Sequence, residues 1–356
     1  MTRRDSKVIN IGGVLIGGNH PISIQSMTNT KTSDIKSTIS QIDELYQNGC
    51  DIIRIAVPNN EAAQSIKKIK ERVKAPLVAD IHFDYKLAIT AIDEGVDGIR
   101  LNPGNIGSFA NVLKVVERAK VSDIPIRIGV NGGSLDKKII AKYGYTENAI
   151  VESALSHVSI LEKANFEKIK ISVKTSSVPM TINSYRLLAS KCSYPLHLGL
   201  TEAGTEFGGS IKSSIVIGTL LSEGIGDTIR VSLTEDPIRE VIVAKQILKY
   251  LEKKRGLNIV SCPTCGRTEI DLLRITKEIE KNLIPFLDYD IKVAVMGCVV
   301  NGPMEAKDAD YAIAAGVDSG LIYKNGKIHC KVKAEDIVEK IISLIKKDYS
   351  LKQVLK

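Results

Sequence analysis

The feature that most constrains the fold is a succession of eight short runs rich in β-branched residues. They occupy residues 22–27, 51–57, 76–82, 97–103, 125–131, 168–174, 195–201 and 227–233. Most are separated by stretches with the apolar spacing of an amphipathic helix, such as Ile35, Ile39 and Ile42. Strands that alternate with helices pair in parallel, and eight such units predict a closed (β/α)8 barrel of the TIM type. No Gly-x-Gly-x-x-Gly motif opens the first unit, which disfavours an open Rossmann sheet.

Polar residues recur near the carboxyl ends of these runs, where barrel enzymes place their active sites. Residues two apart in a strand face the same side, so Asp80 with His82, and Ser172 with Lys174, can face one cavity. The set comprises Gln25, Ser26, Arg54, Asp80, His82, Arg100, Asn102, Arg127, Asn131, Lys170, Ser172, Lys174, His197, Thr201, Glu202, Arg230 and Ser232. The sequence therefore predicts a polar cavity at this end of the barrel.

Basic residues are conspicuous in this set. A single arginine in a strand is usually ion-paired or on the surface, but four arginines and a lysine in equivalent positions crowd positive charge together. Such crowding is unfavourable unless a multiply charged anion binds there, and the guanidinium fork fits phosphate oxygens. The net charge of +8 is compatible with a lysine-rich surface and also with such a ligand. We interpret the cavity as a site for a small molecule that carries phosphate or diphosphate.

The remaining segments predict a hairpin, a linker and a second domain. Apolar runs at 8–11 and 14–16 flank Gly12-Gly13 and predict a hairpin that plugs the barrel. Residues 253–256, Lys-Lys-Arg-Gly, indicate a linker, so we expect a barrel domain over 1–254 and a small α+β domain over 257–356. The expected elements of the second domain are strands at 257–260, 291–296, 321–324 and 327–330 and helices at 271–283 and 334–347.

Three cysteines in the second domain form the pattern of a metal or iron–sulfur site. Cys262 and Cys265 flank a Pro-Thr turn, and Cys298 ends an apolar run. A zinc ribbon would need a second Cys-x-x-Cys pair, which is absent. Two alternatives stay open. One is a zinc ion bound by the three cysteines and by His329 or Cys330, and the other is a cluster of thiols without metal.

A [4Fe–4S] cluster held by three thiolates fits this pattern best. Glu305, seven residues past Cys298, is the candidate fourth ligand, although it could equally be a carboxylate at a helix N-terminus. An iron with a replaceable ligand can bind a substrate oxygen and pass electrons to it. Combined with an anion-binding barrel, such a site implies reductive chemistry on a phosphorylated substrate.

Composition argues against other classes. No run approaches eighteen apolar residues, so no membrane span is expected, and no apolar stretch of the signal-peptide type follows residues 1–6. We therefore expect a cytoplasmic protein, in which the six cysteines are ligands or core residues rather than disulfides. Aromatic content is 4% with no tryptophan, and no nucleic-acid partner is expected.

The motifs resemble those of bacterial 4-hydroxy-3-methylbut-2-en-1-yl diphosphate synthases of the non-mevalonate isoprenoid pathway, in their short two-domain form. The matching stretches are residues 25–30, 78–83, 100–107 (RLNPGNIG), 127–135 (RIGVNGGSL), 197–204 (HLGLTEAG), 226–233 (GDTIRVSL) and both cysteine motifs. They cover nearly the whole chain in order. The resemblance implies a (β/α)8 barrel followed by a cluster domain.

The resemblance also implies a reaction. Such enzymes reductively open the ring of 2-C-methyl-D-erythritol 2,4-cyclodiphosphate and remove a hydroxyl group, giving (E)-4-hydroxy-3-methylbut-2-enyl diphosphate. They use two electrons and a proton, with flavodoxin or ferredoxin as the electron donor. They are homodimers in which the cluster domain of one subunit covers the barrel mouth of the other.

Site residues follow from the resemblance position by position. The cluster ligands would be Cys262, Cys265, Cys298 and Glu305, and the diphosphate clamp Arg54, Arg100, Arg127 and Lys174. The pocket would be completed by Asn102, Asn131, Arg230, Ser232 and Asn301. Glu202 would be the proton donor, with Thr201 beside it.

The chain departs from the family pattern at two positions, and two other interpretations of its function stay open. The family usually has glycine where this chain has Met304 and aspartate where it has Ser177. One rival is a metal-stabilised barrel that captures a phosphate ligand without turnover. The other is a radical enzyme, but its Cys-x-x-x-Cys-x-x-Cys triad is absent because Cys298 lies 33 residues from Cys265.

Overall fold

The computed structural model describes residues 3–268, 270–287, 289–298 and 306–354. The chain divides into two compact units, Met1–Lys253 and Lys254–Lys356. Asn301, Met304 and Glu305, which the sequence assigns to the site or its surroundings, lie outside the described residues.

The first unit is a parallel (β/α)8 barrel, as predicted. Its strands are β3 (Ser23–Met27), β4 (Ile52–Ala56), β5 (Leu77–Asp80), β6 (Gly98–Arg100), β7 (Ile126–Asn131), β8 (Ile169–Lys174), β9 (His197–Leu198) and β10 (Thr228–Ile229). They pair in chain order from β3 to β8, and β10 lies between β3 and β9. A parallel bridge between Ile171 and Leu196 joins β8 to β9 and closes the barrel.

Helices cover the outside of the barrel because each presents an apolar face to the strands. They are α1 (Ile35–Gln47), α2 (Asn60–Lys70), α3 (Tyr85–Asp93), α4 (Phe109–Val121), α5 (Lys137–Tyr143), α6 (Glu147–Lys163), α7 (Val178–Lys191), α8 (Glu206–Ser222) and α9 (Pro237–Tyr250). Side chains from helices and strands form one continuous apolar core. Alternate residues of each strand point into the interior of the barrel, and several of these residues are charged.

A hairpin of β1 (Ile9–Ile11) and β2 (Val14–Ile16) lies against the amino-terminal end of the barrel. Ile9, Ile11 and Ile16 pack with Ile52 and Val78 in a cluster separate from the main core. This contact supports the predicted plug.

The turn of this hairpin requires glycine at Gly12. Its φ is +55°, and a Cβ atom there would lie 2.7 Å from Cγ of Asp97 and 2.9 Å from Cβ of Pro76. Backbone conformation and close contact therefore both exclude a side chain at this position.

The second unit is a five-stranded mixed sheet with helices on one face. Its elements are β11 (Asn258–Ser261), α10 (Leu272–Asn282), β12 (Lys292–Met296), β13 (Tyr311–Ala315), β14 (Ser319–Lys324), β15 (Lys327–Lys333) and α11 (Ile337–Val354). The strands are hydrogen-bonded in chain order. Strands β11, β12 and β13 are parallel, whereas β13, β14 and β15 are antiparallel.

Two details of the second unit differ from the sequence prediction. Strand β13 was not predicted, because its alanine-rich sequence, YAIAA, lacks a strong β preference. The last helix begins three residues later than predicted, after a 3₁₀ turn at Ala334–Asp336. The turn between β14 and β15 is Asn325-Gly326, with φ of +48° and +73°.

We predict that Ile16→Ala destabilises the barrel by about 2–4 kcal/mol, because it opens a cavity under the plug. Ile16 is fully buried, whereas its neighbour Leu15 is 42% exposed. Leu15→Ala is therefore the matched control and should change stability by less than about 0.5 kcal/mol. Urea unfolding followed by circular dichroism measures both effects. Equal effects of the two substitutions would contradict the packing of the plug.

Candidate functional site

Asp80 is the centre of the charged interior of the barrel. Its carboxylate oxygens lie 3.3 Å from Nη1 of Arg100, 3.9 Å from Nε of Arg54 and 3.5 Å from Nε2 of His82. Burial alone would raise its pKa, but Arg54, the hydrogen bond with His82 and Arg100 together hold the pKa well below its usual range. Asp80 is therefore ionised and holds two of the predicted clamp residues at the ends of β4, β5 and β6.

Arg54 and Arg100 are each fixed by a second contact. Arg54 donates to the sulfur of Met27 at 2.9 Å, and Arg100 donates to the carbonyl oxygen of Gly129 at 3.2 Å. A Cβ atom at Gly129 would lie 3.0 Å from Nε of Arg100, so glycine leaves room for the guanidinium. Burial lowers the pKa of Arg54 to about 10.

Arg127 lies on β7 and is buried. Its Nη1 is 3.1 Å from Nδ1 of His197, and its Nε has no hydrogen-bond partner among the described residues. Because a guanidinium only donates, Nδ1 of His197 accepts this bond and the ring is neutral. Burial, followed by the charges of Lys174 and Arg127, lowers the pKa of His197 well below its usual value.

Lys174 ends β8 and is buried among cations. Burial and the charges of Arg127 and Arg230 lower its pKa well below the usual value. A Cβ atom at Gly199 would lie 2.7 Å from Nζ of Lys174 and 2.5 Å from the carbonyl oxygen of Arg230. The glycine at this position therefore allows the amine of Lys174 to approach the neighbouring strand.

Arg230 follows β10 and is paired with a different carboxylate from Arg54 and Arg100. Its Nε lies 3.5 Å from Oε2 of Glu240. Glu240 is buried and also accepts from the hydroxyl of Ser26 at 2.8 Å and the amide of Leu233 at 3.0 Å. The carboxylate of Glu240, on α9, therefore ties helix α9 to the ends of β3 and β10.

The two asparagines of the predicted pocket lie on adjacent segments. Asn102 follows β6, and its Oδ1 accepts from the amide of Gly129 at 3.0 Å. Asn131 ends β7 and pairs in register with Lys174. Ser232 is half-buried two residues after Arg230. The barrel thus brings Asn102, Asn131 and Ser232 to the same end as the basic residues.

The predicted proton donor lies in an unusual backbone conformation. Glu202 has φ of +54° and is exposed, in the bend after β9. The amide of its neighbour Thr201 donates to the carbonyl oxygen of Thr175 at 3.2 Å. A left-handed conformation is costly for a residue with a side chain and is concentrated at functional positions.

Ser177, one of the departures from the family pattern, has a structural role. It is the N-cap of α7, and its hydroxyl accepts from the amide of Met180 at 3.4 Å. Serine and aspartate both serve as N-caps. The substitution therefore preserves the helix start.

In the second unit, Cys262 and Cys298 follow the carboxyl ends of adjacent parallel strands. The amide of Cys262 donates to the carbonyl oxygen of Val295 at 3.1 Å, which extends the ladder between β11 and β12 by one residue. Cys298 lies two residues beyond the end of β12. The two thiols are consequently at the same edge of the sheet.

Cys265 lies in a turn that favours its thiolate. Its amide donates to the hydroxyl of Thr268, whose amide donates back to the carbonyl oxygen of Cys265 at 2.9 Å. Cys265 is exposed, and hydrogen bonds with Arg267 lower the pKa of its thiol. The thiolate is the form that binds metals.

The three thiols have the donor chemistry of an iron–sulfur cluster. All three are free cysteines. Within the described ranges, no three His, Cys, Asp or Glu side chains are close enough to hold a metal ion. Residues 299–305, which include Glu305, fall outside those ranges.

Some residues of the charged interior were not assigned to the site from the sequence. Asp80 and His82 were recognised as a pair facing the cavity, but the role of Asp80 as a shared partner of two arginines was not. Glu240 was missed because a glutamate in the first turn of a helix usually faces solvent. Its position just after the eighth strand is the sequence feature that could have predicted a role in the site.

The chain contains no helix in its described parts that is long and apolar enough to span a membrane.

Comparisons with known proteins identify close relatives along the whole chain. A protein from Ruminiclostridium cellulolyticum named 4-hydroxy-3-methylbut-2-en-1-yl diphosphate synthase (flavodoxin) is 57% identical over 345 residues, which cover 96% of this chain and 98% of that protein. Proteins of the same name from Caldanaerobacter subterraneus and Fusobacterium nucleatum are 57% and 52% identical over 97% and 98% of this chain, and 98% and 99% of their own. The resemblance inferred from the motifs is confirmed.

Two family models also match. The model described as GcpE TIM-barrel domain matches residues 6–245, and the one described as GcpE protein C-terminal domain matches residues 258–347. Each match lies within one of the two compact units. The chain therefore belongs to the GcpE family.

Proposed function

We propose that this chain is an oxidoreductase that converts 2-C-methyl-D-erythritol 2,4-cyclodiphosphate into (E)-4-hydroxy-3-methylbut-2-enyl diphosphate. The relatives that carry the name 4-hydroxy-3-methylbut-2-en-1-yl diphosphate synthase support this activity. We further propose that the barrel, residues 1–254, binds the substrate and that residues 257–356 hold the cofactor.

The observation that carries the proposal is the surplus of positive charge inside the barrel. The basic side chains of Arg54, Arg100, Arg127 and Lys174 lie on neighbouring strands with little exposure, and Asp80 pairs with two of them, Arg54 and Arg100. Each buried charge is costly unless it is paired. A diphosphate supplies the missing negative charge at several oxygens, and arginine binds such oxygens in a bidentate manner.

We assign the binding of the diphosphate to Arg54, Arg100, Arg127 and Lys174. Asp80 orients two of these guanidinium groups before the substrate arrives, which reduces the reorganisation that binding requires. Asn102, Asn131, Arg230 and Ser232 complete the pocket. These roles rest on the family motifs and on the charge distribution described above.

We assign proton donation to Glu202, with Thr201 beside it. Glu202 lies in the bend after β9, at the carboxyl end of a barrel strand, where barrel enzymes place their active sites. In this role the protonated carboxyl donates its proton to the departing hydroxyl group.

We propose that Cys262, Cys265 and Cys298 bind a [4Fe–4S] cluster, with Glu305 as the fourth ligand. When bound, such a cluster supplies single electrons for the reduction. We assign Asn301 to substrate binding on the family motif alone. Flavodoxin is the proposed electron donor because the relatives' names include it, with ferredoxin as the alternative, and we propose a cytoplasmic homodimer.

We predict that Glu202→Gln lowers kcat by about 100- to 10,000-fold, because the amide cannot donate the proton. Substrate affinity should stay within about twofold, since the clamp is unchanged. Glu206→Gln is the matched control, because Glu206 is a nearby half-exposed carboxylate that pairs with Arg239. Steady-state kinetics with a chemical reductant and calorimetric binding measure the two effects. Normal turnover of Glu202→Gln would remove Glu202 from this role.

We predict that anaerobic purification yields a brown protein with about four irons and four sulfides per chain. Cys265→Ser should lose most of the iron, because one of the thiolate ligands is removed. Cys330→Ser is the matched control, because Cys330 lies within strand β15 and should leave the iron content unchanged. Elemental analysis and the visible spectrum provide the readout.

One outcome of the same purification contradicts the redox mechanism. A colourless protein that holds zinc, even after reconstitution with iron and sulfide under anaerobic conditions, would leave the barrel as a phosphate-binding domain without reductive chemistry.

A further inference from the structure

We propose that Lys170 couples substrate binding to proton uptake: its amine is neutral in the free protein and takes a proton from solvent when the anionic cyclodiphosphate enters the barrel. This inference rests on the proposed function, because it takes the cyclodiphosphate as the ligand. The covalent structure of the substrate does not change in this step. One N–H bond forms on Lys170, and the proton comes from water or buffer.

The surroundings of Lys170 do not satisfy an ammonium group. The residue lies on the interior face of β8, only 1% exposed. Its Nζ has one described hydrogen-bond contact, with Oγ1 of Thr228 at 3.4 Å. The same hydroxyl is 2.9 Å from Oγ of Ser23. Since an ammonium carries three donors, a single long contact leaves most of them without acceptors.

A small cavity adjoins the amine. It has a volume of about 10 Å³ and is lined by Gln25, Arg127 and Lys170, with Ile11 of the plug below. Neither polar atom of the Gln25 side chain has a hydrogen-bond partner among the described residues. The space is about that of one water molecule, which could accept from Lys170 and carry protons to it.

The charged groups that face Lys170 favour its neutral form. Arg127 on β7 and Arg54 on β4 repel a charged amine, while Asp227 before β10 attracts it. Asp227 is already engaged by Arg3 at 2.8 Å and Arg4 at 3.7 Å. Burial and the charge of Arg127 lower the pKa of Lys170 well below its usual value.

The other buried groups of the interior are less suited to this role. His197 accepts from Arg127 through Nδ1, so protonation of that nitrogen would break the contact. Asp80 is held ionised by two arginines. Lys174 lies four residues further along β8 and belongs to the proposed clamp. Lys170 is the amine that pairs in register with Arg127 of the proposed clamp, so an anion bound by Arg127 offsets the charge that disfavours protonation of Lys170.

The chemistry of the substrate makes the coupling measurable. In a 2,4-cyclodiphosphate each phosphorus carries a single, strongly acidic hydroxyl, so the molecule keeps a constant charge near neutral pH. Protons taken up on binding must therefore come to rest on the protein. Because the bound form has the higher pKa, affinity should fall by up to about tenfold per pH unit as the pH rises between the two pKa values of Lys170.

We predict that calorimetric titration of the full chain with the cyclodiphosphate, in buffers of different ionisation enthalpy near neutral pH, shows net proton uptake. Lys170→Met should reduce this uptake by about one proton per bound substrate and flatten the pH dependence of Kd. Lys168→Met is the matched control, because Lys168 lies just before the same strand, half-exposed and paired with Asp123. It should leave the uptake unchanged.

The outcomes are distinguishable. Binding without net proton uptake by the unaltered chain overturns the role of Lys170 even if Lys170→Met fails to fold. Unchanged uptake by a folded Lys170→Met variant overturns it as well. Absence of cyclodiphosphate binding overturns the proposed function, and the coupling with it.

Discussion

The interaction on which the barrel interior depends is the attraction of one buried carboxylate, Asp80, for the guanidinium groups of Arg54 and Arg100. At distances of 3.3 and 3.9 Å, and with an effective dielectric constant of about 20, each attraction amounts to about 4–5 kcal/mol. This is comparable to the cost of burying one ion. Asp80 therefore offsets part of the cost, but Nε of Arg127 has no hydrogen-bond partner among the described residues, and the buried amine of Lys174 lies among other cations.

This imbalance distinguishes a ligand site from a structural ion-pair network. In a structural network the charges approximately cancel, and the buried donors have acceptors. Here Nε of Arg100 and Nε of Arg127 lack acceptors, and the histidine beside Arg127 is held neutral. The free protein is thus less stable than the same fold with an uncharged interior would be. A multiply charged anion is the ligand that supplies most of the missing negative charge and hydrogen-bond acceptors.

Much of this arrangement follows from the sequence, and some of it does not. Alternation within strands placed Arg100 with Asn102 and Ser172 with Lys174 on the inside, because the barrel leaves only two directions for a strand side chain. The hydrogen-bond and ion-pair partners of these residues depend on which strands are neighbours. That order is established only when the barrel closes. Arg127 meets His197 across 70 positions of sequence, and Arg230 meets Glu240 of an outer helix. Local pattern carries no information about such pairs, nor about the left-handed backbone of Glu202.

The same geometric rule locates the polar groups of both units. In the barrel, side chains at the carboxyl ends of parallel strands converge because all strands point the same way. In the second unit, β11 and β12 are parallel neighbours, so Cys262 and Cys298 leave the sheet at the same edge although 36 positions separate them. An antiparallel pair would have sent the two thiols to opposite edges. The parallel pairing of these two strands therefore brings Cys262 and Cys298 to one edge of the sheet, as the proposed cluster requires.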